Sequence, residues 1–142
     1  MLNGLFHAHS GLRFLVLLAA VAAIVVLASG LISGRPYGRP ARIATAVFTG
    51  LLDLQILLGI GMVAMGRFYP SLLGHITLMV LAAILAHALS VAGRKAPDAK
   101  RGHSLALIGV VSALVLIVLG IGAIGRGPFE MRVTSPAATT EP

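Results

Sequence analysis

Four long apolar stretches alternate with short polar ones along the chain. They cover residues 14–33, 43–65, 71–92 and 104–124, and each has about 20 residues, enough to cross the core of a bilayer as a helix. None alternates regularly between apolar and polar residues, as a strand of a membrane barrel would. Because unpaired backbone groups are costly in lipid, the pattern predicts four transmembrane helices, over about residues 9–33, 43–65, 71–92 and 104–125.

The polar stretches between these runs predict tight loops. Residues 34–40 contain two glycines and two prolines, and Pro70 is placed to begin the third helix. We therefore expect one all-α domain over residues 1–126, an integral membrane four-helix bundle. Residues 127–142 are polar and rich in Pro, Thr and Ala, which predicts a flexible C-terminal tail.

Composition supports a membrane protein and excludes several other classes. Charged residues make up only 11% of the chain, against about 25% in soluble domains. The absence of cysteine excludes disulfides and thiolate metal sites. The net charge of +7 does not indicate nucleic acid as a partner, because the basic residues lie in the short loops and aromatic residues are only 5%.

The basic residues also predict an orientation. Seven lie on one side of the predicted helices and four on the other. Since cytoplasmic loops carry the excess of Lys and Arg, the chain is expected to have both termini outside. The seven are Arg35, Arg39, Arg42, Arg94, Lys95, Lys100 and Arg101, and the four are Arg13, Arg67, Arg126 and Arg132.

A short internal repeat divides the chain into two halves. Leu-Gly-Ile-Gly occurs at residues 58–61 and again at 119–122, and a Gly-Arg pair follows each block within a few residues. The chain then contains two similar helical hairpins in parallel, related by an axis along the membrane normal. The alternative is that the match arose by chance, because sequences made of only a few apolar residue types often contain such short matches.

Histidines near the outer ends of the helices suggest a b-type haem. Its iron takes axial side chains from two helices, commonly imidazoles, and His75 and His9 are the candidate ligands. Arg13, Arg67 or Arg126 could pair with the propionates. Four glycines at a similar depth would let a flat macrocycle approach the backbone: Gly59, Gly61, Gly120 and Gly122.

Spacing along the helices leaves alternatives to this pair. His9 lies 26 residues before Arg35 and His75 lies 19 before Arg94, so flush helix ends would place the two at depths about 10 Å apart. Met62 and Met79 are alternative ligands near the expected depth. The same histidines and arginines could simply anchor helix ends at the lipid headgroups, and the glycines could serve helix packing.

A second group of polar residues lies deeper in the predicted helices. Asp53 is near the middle of the second helix, His87 is inside the third, and His103 begins the fourth. They predict a second site, as haem ligands or a proton relay. The alternative is a protonated Asp53 that hydrogen-bonds a neighbouring helix. Because the sequence contains no nucleophile–base set, we expect no catalytic activity from the chain alone.

Several short motifs resemble those of small four-helix bacterial membrane proteins that are labelled cytochrome b-like. That resemblance implies haem b, a place in the bacterial inner membrane, and polar sites at His9, His75 and His87. His9-Ser10-Gly11 is also similar to the quinone-side helix of succinate dehydrogenase anchors, which adds a quinone as a candidate partner. The motifs are His9-Ser10-Gly11-Leu12-Arg13, residues 53–59 (DLQILLG), Gly74-His75 and Ala86-His87.

These observations predict a membrane-embedded electron-transfer subunit that binds b-type haem. Its loops are too short for a soluble catalytic domain, so its partners should be lipids and the other membrane subunits of a larger redox or photosynthetic complex. The alternative is a cofactor-free accessory subunit that packs against partner chains and lipids.

Overall fold

The computed structural model describes residues 2–129, and within that range the chain consists of four helices joined by short loops, with no strand. The predicted tail at 127–142 lies outside the described residues from position 130 onward. The all-helical prediction is confirmed. The helices are α1 (Leu2–Ile32), α2 (Arg39–Ala64), α3 (Leu72–Arg94) and α4 (Ala99–Ala123).

Three of the four helices begin before the apolar stretches that predicted them. The helix α1 begins at Leu2 instead of near residue 9 and is 31 residues long. At the start of α4 the Asp98 carboxylate accepts a hydrogen bond of 2.8 Å from the Arg101 backbone N–H, so the helix includes a polar first turn. Pro40 occupies the first turn of α2, where its missing N–H costs nothing.

All four helices are long and apolar enough to cross a membrane. Their outward faces carry large apolar side chains, such as Leu18 (65% exposed) and Leu57 (63%). Small residues instead fill much of the interior, including Ala20, Ala82 and Ala113, all fully buried. This distribution is suited to lipid, where interiors rich in small residues let helices approach closely.

The helices pack as two hairpins that meet along one side. The α3–α4 pairing is the most extensive and α1–α2 comes second, while α1–α4 joins the hairpins and α2–α3 contact each other only sparsely. A Cβ added at Gly93 would lie 2.8 Å from the backbone oxygen of Gly102. Glycine at both positions therefore permits the close approach of α3 and α4.

The two ends of the bundle are named here by a histidine that lies at each. At the His9 end α1 and α3 begin and α2 and α4 stop. At the His103 end the direction is reversed. Both α2 and α4 are followed at the His9 end by a left-handed glycine, Gly66 (φ 89°) and Gly125 (φ 71°), and each of these glycines precedes an arginine.

Candidate functional site

An apolar cavity of about 370 Å³ lies between the helices at the His9 end. Its volume is in the range of small-molecule sites. Most of its wall is aliphatic, and no carboxylate lines it among the residues that the structure describes. The polar side chains that reach it are those of His9, Ser10, Arg13, Gln55, Arg67, Tyr69, His75 and Arg126.

His9 is fixed by two hydrogen bonds between α1 and α2. Its ring nitrogen Nδ1 lies 3.1 Å from the backbone oxygen of Gln55, and the Gln55 side-chain Nε2 donates to the backbone oxygen of His9 at 2.9 Å. A carbonyl oxygen only accepts, so Nδ1 carries the proton and Nε2 keeps its lone pair. A Cβ added at Gly59 would lie 3.3 Å from the ring carbon Cε1, so the glycine makes room for this imidazole.

His75 is held in the same manner between α3 and α4. Its Nδ1 donates to the backbone oxygen of Gly120 at 2.8 Å, which again leaves Nε2 with a lone pair. A Cβ added at Gly120 would lie 2.6 Å from Met79 Cε and 3.5 Å from His75 Nδ1. Histidines that bind metals in proteins almost always donate their other ring N–H in this way, so the tautomers of both cavity imidazoles suit metal ligation.

The first glycine of each Leu-Gly-Ile-Gly block therefore supports one imidazole, but the second does not. Gly61 packs against Leu5, since an added Cβ would lie 3.2 Å from its Cδ2. Gly122 is exposed, and an added Cβ would find nothing within 4 Å. The glycine layer predicted from the sequence is thus reduced to Gly59 and Gly120 next to the imidazoles.

Three arginines give the cavity its charge. The guanidinium groups of Arg67 and Arg126 lie over the ring of the buried Phe6, at 4.8 and 5.2 Å from its centroid. Arg13 is buried and lies over Phe14 at 5.0 Å. The basic character of this lining favours a ligand that carries acidic groups.

The positions of the hydrogen-bond partners agree with the depth difference that the sequence predicts for the two histidines. His9 bonds to Gln55, which lies well inside α2, whereas His75 bonds to Gly120 in the last turn of α4. Both rings nevertheless line the same cavity, and the alternative ligands Met62 and Met79 line it as well.

The second predicted site, at Asp53, His87 and His103, is not a single site in the structure. His87 Nε2 on α3 bonds to both carboxylate oxygens of Asp53 on α2, at 2.9 and 3.1 Å. His103 is instead buried, edge-on to Tyr37 with ring centroids 5.1 Å apart, and its ring lies against Gly30 of α1. The structure therefore brings Asp53 and His87 together but leaves His103 elsewhere.

Two cavity residues were not assigned a role by the sequence. Gln55 was noticeable as a polar residue in an apolar stretch, but its reciprocal bonds with His9 depend on how α1 and α2 face each other. Phe6 precedes the first apolar run, and no sequence signal links it to Arg67 and Arg126, which lie far along the chain.

One side of the cavity wall is formed by exposed side chains. Ile60 of α2 and Val80 of α3 both line it, and they are 59% and 47% exposed. They belong to two helices that contact each other only sparsely. The cavity therefore opens sideways, between these two helices, toward the surroundings of the bundle.

Comparison of the chain with protein-family models, curated proteins and solved structures finds no match. Among the described residues no group of three or more His, Cys, Asp or Glu side chains is placed to hold a metal ion. A haem takes only one or two ligands from the protein, so this finding does not bear on it. The site is therefore interpreted from its geometry alone.

Proposed function

We propose that the chain is a membrane-embedded electron-transfer subunit that binds b-type haem in the cavity at the His9 end. One observation carries the proposal. Two imidazoles from different hairpins line one apolar cavity, and each has its Nδ1 engaged by a backbone carbonyl and its Nε2 available. Haem iron is commonly held by histidine, and it supplies one-electron chemistry that the side chains cannot.

The chain's own residues would bind and orient this group. His75 would be the first ligand and His9 the second, and the hydrogen bonds to their carbonyl partners would hold the rings in place. Arg13, Arg67 and Arg126 would pair with the two propionates, whose charges match the basic lining. The aliphatic wall would keep water away from the iron, and such burial is one of the factors that set its reduction potential.

The proposal places the chain in the bacterial inner membrane with both termini outside. The excess of basic residues in the loops and adjoining helix ends at the His103 end supports this orientation. The two hairpins are proposed to be a parallel repeat. Gly59 and Gly120 support one imidazole each, and Gly66 and Gly125 end equivalent helices, as a repeat would require.

An electron-transfer subunit of this size needs partners to supply and remove electrons. The loops between the four helices are short, and no soluble domain is formed by the described residues. We therefore propose that the chain belongs to a larger redox or photosynthetic complex, surrounded by lipid, with other membrane subunits or a quinone as electron donor and acceptor.

The test is the absorption spectrum of the purified protein. A reduced-minus-oxidised b-type spectrum is expected, and His75→Ala and His9→Ala should each abolish or strongly shift it. His7→Ala is the matched control, because His7 is exposed, does not line the cavity, and should leave the spectrum unchanged. A folded but colourless protein from its native membrane would contradict the proposal and favour the cofactor-free accessory subunit.

A further inference from the structure

Asp53 and His87 form a hydrogen-bonded pair on the outside of the bundle, near the middle of their helices. His87 Nε2 lies 2.9 Å from Asp53 Oδ1, and the two side chains remain 46% and 48% exposed. Ionisable residues in membrane-crossing helices almost always face the bundle interior or a water-filled cavity. Neither of these two lines the cavity at the His9 end. Their exposure therefore indicates that something other than lipid tails covers them.

The surface around this pair permits close approach by another helix. Gly50 lies one turn from Asp53 on the same face of α2, and a Cβ added there would find nothing within 4 Å. Ala46, one turn further, is also exposed. Small residues in this arrangement let the backbones of membrane helices meet, and polar side chains then hydrogen-bond across the contact.

We propose that this face, which we call the Asp53 face and which consists of Ala46, Gly50, Asp53 and His87, binds a second copy of the chain in a two-fold symmetric dimer. In such an interface residue i of one subunit meets residue j of the other, and j meets i. The Asp53 face can be complementary to itself in this way, because it carries both a carboxyl group and an imidazole. A two-fold axis beside the pair brings Asp53 of one copy to His87 of the partner subunit.

The unused hydrogen-bonding capacity of the pair fits that arrangement. The two oxygens of the Asp53 side chain can take part in more hydrogen bonds than the contacts that they make with His87 Nε2. The second ring nitrogen of His87, Nδ1, is not the one that contacts Asp53. Each copy therefore offers an acceptor and a ring nitrogen to the other, so a dimer would join the two pairs into one network away from lipid.

A foreign helix would have to bring its own matching polar groups, whereas a second copy brings them by symmetry. The proposal does not depend on haem, because neither residue of the pair lines the haem cavity. The haem spectrum and the association of the chain can therefore be measured separately, and either can fail without the other.

Disulfide cross-linking in lipid vesicles tests the Asp53 face directly, because the chain contains no cysteine of its own. Ala46→Cys and Gly50→Cys are each introduced alone and oxidised at a low protein-to-lipid ratio. Rapid formation of a covalent dimer is expected from at least one of them. Val25→Cys is the control, since Val25 is 62% exposed on α1, outside the proposed face, and should cross-link only at the rate of random collision.

Two variants distinguish a loss of this contact from a general loss of folding: removal of the Asp53 side chain, and an exchange of Asp53 and His87 with each other. Asp53→Leu should weaken dimerisation by roughly threefold to fifteenfold, as expected for the loss of a hydrogen bond between membrane helices. The double variant Asp53→His with His87→Asp should restore much of it, because the network keeps the same groups. Equal cross-linking of Val25→Cys and both face variants would overturn the proposal, as would cross-linking of the face to a different chain in native membranes.

Discussion

A glycine lies against each imidazole of the cavity, and the two residue pairs are built alike. An added Cβ at Gly59 would lie 3.3 Å from the His9 ring, and one at Gly120 would lie 3.5 Å from the His75 ring. Each ring also bonds to a backbone oxygen of that neighbouring helix. Position and tautomer are therefore determined by the same local contact.

Gly120→Ala should disturb this contact on the α4 side. The added Cβ would lie 2.6 Å from the flexible end of Met79, which can move, but also 3.3 Å from Leu78 Cβ, which is fixed to the backbone of α3. We expect a loss of about 1–2 kcal/mol in the free energy of unfolding from overpacking. Haem content should fall with it, because His75 bonds to this residue. Thermal unfolding in detergent and haem-to-protein ratio are the measurements.

The matched control for that change is two residues away. A Cβ added at Gly122 would find nothing within 4 Å, and alanine favours the helix over glycine. Gly122→Ala should therefore be neutral or stabilising by up to about 1 kcal/mol, with haem content unchanged. Equal effects of the two substitutions would show that Gly120 has no special role beside His75.

The sequence was enough to predict several of the side chains that line the cavity. It was not enough to predict the contacts that position them. His9, His75 and Arg13 were selected because ionisable groups are rare in apolar stretches, and all three line the cavity. Residues two apart on a helix point about 160° apart around its axis, so the two glycines of one block cannot form a single layer. Which of the two lies beside the imidazole depends on how the helices pack, and the shared motif could not reveal that.

The predicted and observed helices differ most at their ends. Apolar runs mark the part of a helix suited to lipid, whereas a helix continues into polar turns where its free N–H groups find partners. The α4 helix begins at Ala99 because the Asp98 carboxylate accepts the Arg101 N–H. Its predicted start at residue 104 missed this first turn.

Asp98→Ala should therefore destabilise the start of α4. Loss of a side-chain cap costs about 1 kcal/mol, and amide exchange over residues 99–102 should accelerate correspondingly. Asp98→Asn keeps an oxygen that can accept the same bond and is expected to retain most of the protection. If both variants exchange like the native chain, the cap contributes nothing to the helix.

The number of helices can be predicted from the sequence, because bilayer thickness fixes how many consecutive apolar residues a membrane-crossing helix needs. How the helices pair does not follow from hydropathy, because in lipid this depends on small residues and specific contacts. Gly93 and Gly102 bring α3 and α4 together, and nothing in the apolar pattern of α2 and α3 predicts that their contact is sparse.

The orientation of the whole molecule can be checked with a membrane-impermeant thiol reagent. Arg39→Cys and Lys95→Cys, both exposed at the His103 end, should be labelled only when the cytoplasmic side is accessible. Phe68→Cys, in the exposed loop at the His9 end, should show the opposite behaviour. Labelling of position 95 from the outside of intact cells would contradict the proposed orientation.

The sideways opening of the cavity has a consequence for how any ligand is delivered. With Ile60 and Val80 exposed in its wall, the cavity of a membrane-inserted bundle communicates with the acyl chains of the lipid. The bilayer then acts as the reservoir, and occupancy follows the mole fraction of ligand dissolved in lipid. An apparent dissociation constant expressed per volume of water would change with the lipid-to-protein ratio, whereas one expressed per lipid would stay constant.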